Sequence, residues 1–296
     1  MKTLSKVLVL VLFFSSSAHA VSIDELIKTV VFLRQQSHVV QSIEGKPAEM
    51  YYRYLGTQEY KPVMETRSGS GFIIRYKGRD YLVTAKHVAN LLPRGEIVIN
   101  LPNGKTTIIT FQQLTQADKT KRAHWFHHPK ADISIHPMAY PTKDVEVLAI
   151  SENLFPKKEP DLKLLNTVNI VGFPLGLGVS DKLSPVAKEA KIVSMLTSIE
   201  NINIPKDLHF YLLDQALSEG YSGAPVFYIE DTMSGFVIGN QLMKGGEMVH
   251  LLGVQSTSLA DQTGGKFSLV VPILYIWDIF ESPDFEAYIK DIESKK

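Results

Sequence analysis

The chain has 296 residues, 31 Lys and Arg against 31 Asp and Glu, 45% hydrophobic residues and no cysteine. These values exclude a disordered or fibrous chain, and the neutral charge balance gives no electrostatic case for nucleic-acid binding. The missing cysteines exclude a cysteine nucleophile, thiolate metal sites and disulfides, so stability has to come from a buried core.

The first twenty residues read as a secretory signal peptide. Lys2 and Lys6 precede an unbroken apolar run over 7–14, and Ala18-His19-Ala20 ends in a small-x-small pattern, so cleavage is expected after Ala20. The run is far shorter than the ~20 residues needed to span a bilayer. The mature chain, with 29 basic against 31 acidic residues, is expected in the periplasm or outside the cell, without membrane insertion.

From Ser22 the signal is ambiguous. Ser22 and Glu25 form a capping box for a helix running to Arg34, whereas 29–33 equally suits a strand. Residues 35–66 are polar and aromatic without period and read as a long loop, with a hairpin around 50–54. Strands over 71–76 and 81–84 flank the turn Lys77-Gly78-Arg79-Asp80. A second hairpin pairs 97–101 with 106–111 across Pro102-Asn103-Gly104-Lys105. Further strands are expected at 133–135, 168–173, 192–196, 210–213, 226–229, 236–238, 250–254 and 268–271. Short strands punctuated by Gly, Pro and Asn point to barrels or sandwiches. The stretch 157–161 reads as a linker between halves. Ser282-Pro283 is an N-cap and first-turn proline, and Phe285, Ile289 and Ile292 then share one face of a closing helix.

Three motifs carry chemistry. Tyr81-Leu82-Val83-Thr84-Ala85-Lys86-His87-Val88 places His87 just past a strand end. Ala131-Asp132-Ile133-Ser134-Ile135 places an acid at the head of an apolar strand. Gly220-Tyr221-Ser222-Gly223-Ala224-Pro225 sets a serine between glycines, where backbone amides can crowd an oxygen. Each alone reads as a turn, a structural histidine or a cap. Their order and full context make the set specific: His87, then Asp132 45 residues on, then Ser222 a further 90. Asp118 and Asp144 compete for the acid, but neither heads an apolar strand.

The set resembles the trypsin/chymotrypsin-like serine protease superfamily, and within it the bacterial, disulfide-free, HtrA-type branch. Ser68-Gly69-Ser70-Gly71-Phe72-Ile73 is similar to the opening of that branch's first barrel, and Val171-Gly172-Phe173-Pro174-Leu175-Gly176 to that of its second. Asp214-Gln215-Ala216-Leu217 leads into the serine motif in register. The resemblance spans roughly 28–275. It implies an all-β fold of two six-stranded antiparallel barrels, with the site in the cleft between them. The implied layout is an N-terminal barrel over 21–156 carrying the inserted loop 35–66, a C-terminal barrel over 157–275, and a short helix over 276–296. A peptide-binding PDZ domain is not expected.

The resemblance implies roles for each residue. Ser222 Oγ is the nucleophile, His87 the general base and then acid, and Asp132 the group that orients the imidazole. The N–H groups of Gly220 and Ser222 form the oxyanion hole. Tyr221 stands where zymogen-activated members carry an acid, so that ion pair is not expected. Ala216, six residues before the serine, and the wall Gly253, Val254, Gln255 and Ser256 imply a pocket for small or medium apolar side chains and disfavour Lys or Arg. Thr257, Ser258 and His250 keep acidic side chains as the competitor.

His124, His127, His128 and His136 tempt a metal reading, but no acid lies at ligand spacing, and they read as solvated loop histidines. Gly172 to Gly178 lacks the Lys of a phosphate loop. The resulting expectation is an exported serine endopeptidase with a polypeptide substrate and no cofactor or metal. The alternative is a silent or latent trypsin-like binding protein.

Overall fold

The computed structural model describes residues 23–295, apart from 44–45, 54–57, 102–104, 142–146, 161, 199–204, 206, 232–235, 239–240, 244–246, 261 and 263. The leader 1–20, Asp144 and the Asn103-Gly104 turn therefore lie outside the described residues.

The ambiguous start resolves into both readings. A short helix α1 (Ile23–Ile27) gives way to strand β1 (Val30–His38). Thr29 ends the helix with its Oγ bonded to the Leu26 carbonyl at 2.7 Å. The β-branched run that follows favours the extended chain. Strand β1 pairs along its length with β2 (Met64–Tyr76). Residues 35–66 are thus not an irregular loop. They prolong the β1–β2 ladder and end in two small hairpins, Val40–Ile43 with Lys46–Glu49 and Tyr51–Arg53 with Tyr60–Pro62. Backbone bonds hold this arm while most of its side chains are exposed, which is why it shows no hydrophobic period.

Strand β2 turns into β3 (Arg79–Thr84) through Lys77 and Gly78, at φ 47° and 71°. Two positive φ values make the two-residue turn whose twist matches the flanking strands. Helix α2 (Lys86–Leu91) follows, then the hairpin β4 (Glu96–Asn100) with β5 (Thr106–Thr110). Thr110 and Gln113 form a reciprocal capping box for helix α3 (Phe111–Ala117). Strands β6 (Phe126–His127), β7 (Ser134–Pro137) and β8 (Ile150–Ser151) complete an eight-stranded sheet. Its order is β6-β7-β3-β2-β1-β4-β5, with β8 parallel on β2. Two short strands thus extend the first unit beyond six.

The second unit closes as a six-stranded antiparallel barrel. Its strands are β9 (Thr167–Gly172), β10 (Val186–Thr197), β11 (Phe210–Leu213), β12 (Pro225–Asp231), β13 (Glu247–Ala260) and β14 (Lys266–Pro272), in the ring order β9-β10-β11-β14-β13-β12. Closure removes the exposed strand edges.

One apolar cluster runs through both units, from Leu33, Phe72, Leu82 and Ile135 to Val171, Phe227, Val254 and Val271. A second fills the barrel around Val168, Ile192, Leu213, Tyr221 and Val226. Phe32 of β1 meets Phe173 edge to face at 5.6 Å, joining the halves. Helices α4 (Tyr275–Phe280) and α5 (Pro283–Ser294) fold back on the first sheet, where Phe280 stacks on Tyr76 at 3.9 Å and Phe285 packs on Tyr81. Ser282 caps α5 by accepting Phe285 N–H at 3.3 Å, with Pro283 in the first turn. Among the described residues no helix is long and apolar enough to cross a membrane.

Candidate active site

His87 sits in the first turn of α2, directly after the end of β3. Val88 and Ala89 turn inward and are buried, which leaves the His87 side chain half exposed. The acid comes from the turn between β6 and β7. Asp132 Oδ1 accepts the His87 backbone N–H at 2.8 Å, and Oδ2 lies 2.7 Å from His87 Nδ1. Ser256 Oγ donates to the same Oδ2 at 2.5 Å. An ionised carboxylate only accepts, so Nδ1 carries a hydrogen, and in the neutral ring the lone pair is then on Nε2. Burial pushes the Asp132 carboxyl up. The bonds and charge of His87, with the Ser256 hydroxyl, outweigh that and hold it below the ordinary carboxylate value.

Ser222 lies in a turn whose flanking glycines take φ of 96° at Gly220 and 87° at Gly223. These are left-handed values that a Cβ disfavours. A Cβ on Gly220 would stand 2.4 Å from the Phe173 carbonyl oxygen. The Glu219 carbonyl accepts Leu175 N–H at 2.8 Å. In a trans peptide the next N–H points the opposite way, so that of Gly220 is turned away from Leu175. Neither Gly220 N–H nor Ser222 N–H has a hydrogen-bond partner among the described residues. Ser222 Oγ donates to the Ser256 carbonyl at 3.0 Å. No hydrogen bond joins it to His87 Nε2 among the described residues.

Ser70 staples this turn to the first sheet. It is wholly buried; its Oγ donates to the Gly220 carbonyl at 2.7 Å and accepts Phe173 N–H at 2.9 Å. Its own N–H donates to the Ser222 carbonyl at 2.8 Å. Tyr221, where zymogens carry an acid, is buried in the second barrel with its hydroxyl 3.4 Å from the Val186 carbonyl.

The residues expected to line a specificity pocket are spread along β13 and the approach to Ser222. The Ala216 carbonyl accepts Lys188 Nζ at 3.3 Å. Ser258 and Ser268 hydroxyls lie 3.1 Å apart, and both lie 3.1 Å from Leu217 N. Ser268 Oγ also donates to the Gln215 carbonyl at 2.6 Å. Gly253 packs against Val271, and the Val254 side chain is buried in the core. Gln255 is 1% exposed, and its Oε1 has no partner among the described residues.

The histidines of the 124–136 segment correct the sequence expectation, because two of them are not solvated: His128 in the turn before β7 and His136 within β7. His136 is 2% exposed, and burial lowers it to about 4. His128 is buried and fully bonded. His124 lies on Asp284 and His127 on Ser134. No cluster able to hold a metal occurs among the described residues. Asp118 is buried and engaged by Thr120, Arg122 N–H, Ala123 N–H and Tyr288, with no bond to His87.

Sequence reasoning singled out His87, Asp132, Gly220 and Ser222. It passed over the bonds of Ser70 and of Ser256, whose partners lie 150 and 124 residues away. The Ser-Gly-Ser-Gly run was the one available signal for Ser70.

A double β-unit with a histidine–aspartate pair beside a Gly-x-Ser-Gly turn defines the class of chymotrypsin-like folds. Residues 69–241 match the sequence model described as the trypsin-like peptidase domain, and the chain belongs to that family. No curated protein matches it. Among solved structures, the HtrA-type protease AlgW with a decapeptide is similar in fold, with a TM-score of 0.50 at 15% identity. That match covers 87% of this chain, which spans only 65% of that protease. The MamO protease domain from Magnetospirillum magneticum aligns with a TM-score of 0.48 at 15% identity, covering 88% of this chain and 100% of that one.

Proposed function

We propose that this chain is an exported serine endopeptidase that cleaves polypeptides through an acyl-enzyme on Ser222. The observation that carries the reading is the His87–Asp132 pair beside a serine turn whose two amides are unbonded.

In this mechanism Ser222 Oγ attacks the scissile carbonyl carbon while His87 Nε2 takes its proton. Asp132, held ionised, keeps the hydrogen on Nδ1 and stabilises the imidazolium. The carbonyl oxygen becomes an oxyanion between Gly220 N–H and Ser222 N–H; losing one such donor typically costs ~10²–10³ in rate. His87 then protonates the leaving amine, and water repeats the sequence on the ester. Ser222 Oγ must first leave the Ser256 carbonyl by rotation about Cα–Cβ. Apo sites are often loose in this way and tighten on binding.

The uncharged lining of Ala216 and the Ser258–Ser268 pair beside Leu217 supports a P1 site for small or medium apolar side chains. Lys188 at the Ala216 carbonyl argues against basic ones. A peptide panel cleaved after Lys or Arg would refute this. The Lys-flanked apolar leader supports export, which N-terminal sequencing of secreted protein tests at Ala20.

The deciding experiment is a fluorophosphonate probe on the chain from Val21 onward, beside Ser222→Ala. Labelling of the wild type alone supports the peptidase. A folded wild type that stays unlabelled favours the second reading, a latent member, which the Ser222–Ser256 bond supports.

A further inference from the structure

The His128 side chain is 5% exposed, yet every polar atom of the residue is bonded. Nδ1 lies 2.6 Å from Ala131 N and 3.1 Å from Lys130 N. Two amide donors on one ring nitrogen require its lone pair, so the neutral ring carries its hydrogen on Nε2. That N–H donates to Asp278 Oδ2 of α4 at 3.0 Å. The His128 backbone closes the same turn, its N–H on the Ile133 carbonyl at 3.0 Å. Its carbonyl accepts Lys86 Nζ at 2.9 Å, and Lys86 is the neighbour of His87. Tyr275 of α4 packs on the ring at 5.1 Å.

The imidazole therefore ties the turn that carries Asp132 to the C-terminal helix α4, and the backbone carbonyl of the same residue ties that turn to the helix start that carries His87. We propose that His128 is a positioning residue for the His87–Asp132 pair, and that Asp278 fixes the tautomer that lets it act. The proposal rests on the triad reading above.

The physical reason lies in the two amides. Ala131 is wholly buried, so its N–H finds no water if Nδ1 is removed. The turn then has to reorganise, and Asp132 is the next residue. Asp132 meets His87 through two bonds of 2.8 and 2.7 Å, which leave little room for displacement. Asparagine at 128 offers a side-chain carbonyl to amides two and three residues on, as in an Asx turn. It is too short to reach Asp278. His128→Asn therefore separates holding the turn from docking α4.

The test is saturation labelling of the full mature chain with a fluorophosphonate, giving kinact and KI. It is paired with ¹⁵N-histidine NMR of the Ser222→Ala protein, which needs no activity. His128→Ala is expected to lower kinact by ~10–100-fold, the cost of a small misplacement, with KI unchanged. His128→Asn restores most of kinact, and Asp278→Ala falls between. NMR is expected to find His128 as the Nε2–H tautomer. The low-field His87 Nδ1–H signal should weaken in His128→Ala and return in His128→Asn. Wild-type labelling with an unaffected kinact in His128→Ala, or an effect on KI alone, overturns the proposal. So does an Nδ1–H tautomer. If His128→Ala does not fold, Asp278→Ala labelling at the wild-type rate overturns it. If the wild type itself does not label, the triad reading fails, and the His87 signal still decides the positioning role.

Discussion

Replacing Ser70 by Ala removes one oxygen that serves two buried groups. The Gly220 carbonyl loses its donor at 2.7 Å and Phe173 N–H its acceptor at 2.9 Å. The hydroxyl sits in a tight place, since a Cβ added to Gly172 would stand 2.8 Å from it. An orphaned buried donor or acceptor costs ~1–3 kcal/mol, so the pair should cost roughly 2–6 kcal/mol of folding stability. The catalytic consequence is separate. The Gly220 carbonyl is one anchor of the turn that aims the two amides, and freeing it should slow probe labelling by up to ~10²-fold, as losing one oxyanion donor does. Urea unfolding followed by tryptophan fluorescence measures the first effect, with an unchanged m-value as the check. Labelling rate measures the second, and Ser68→Ala is the control. A loss below ~1 kcal/mol with undiminished labelling would refute the reasoning, since it would mean that neither bond matters.

Gly220→Ala should slow labelling by ~10²–10³-fold, because its Cβ meets the Phe173 carbonyl oxygen at 2.4 Å. Gly78→Ala, also at positive φ but with nothing within 4 Å, should cost only ~1–2 kcal/mol and leave labelling intact. Ser256→Ala removes a donor from Asp132 and should slow labelling about tenfold, the low end of what a ~1.5–3 kcal/mol bond to a charged group allows. His136 makes stability pH-dependent. Burial lowers it from 6.5 to about 4, so the unfolded chain binds the extra proton between those values. Its contribution is fully present above pH ~6.5 and is lost as pH falls toward ~4, up to ~3 kcal/mol in all. His136→Phe should abolish this part of the slope in urea midpoints; an identical slope in the variant would rule it out.

The span 35–66 illustrates where local reading stops. Its side chains lie largely in solvent, so neither alternation nor helical period marks its strands. Only the β1–β2 ladder, which pairs His38 with Met64, reveals them. Helix α3 did carry a signal, the Thr110–Gln113 capping box, but its short apolar content was absorbed into the preceding strand. The four histidines looked alike in sequence, yet two are buried and one organises the turn before Asp132.

The sequence by itself determined the all-β class, a hairpin turning within Lys77-Gly78-Arg79-Asp80, the cap at Ser282 and the choice of His87, Asp132 and Ser222 as the residues to watch. These depend on local chemistry: turn glycines, alternation along strands, and motifs a few residues long. Tertiary structure alone decided what holds them. Ser256 on Asp132, Ser70 on Gly220 and Asp278 on His128 join positions more than a hundred residues apart. No local period records such a pairing. It exists only once both β-units and the C-terminal helices have packed, because a hydrogen bond is specified by where two groups end up in space and not by their spacing along the chain.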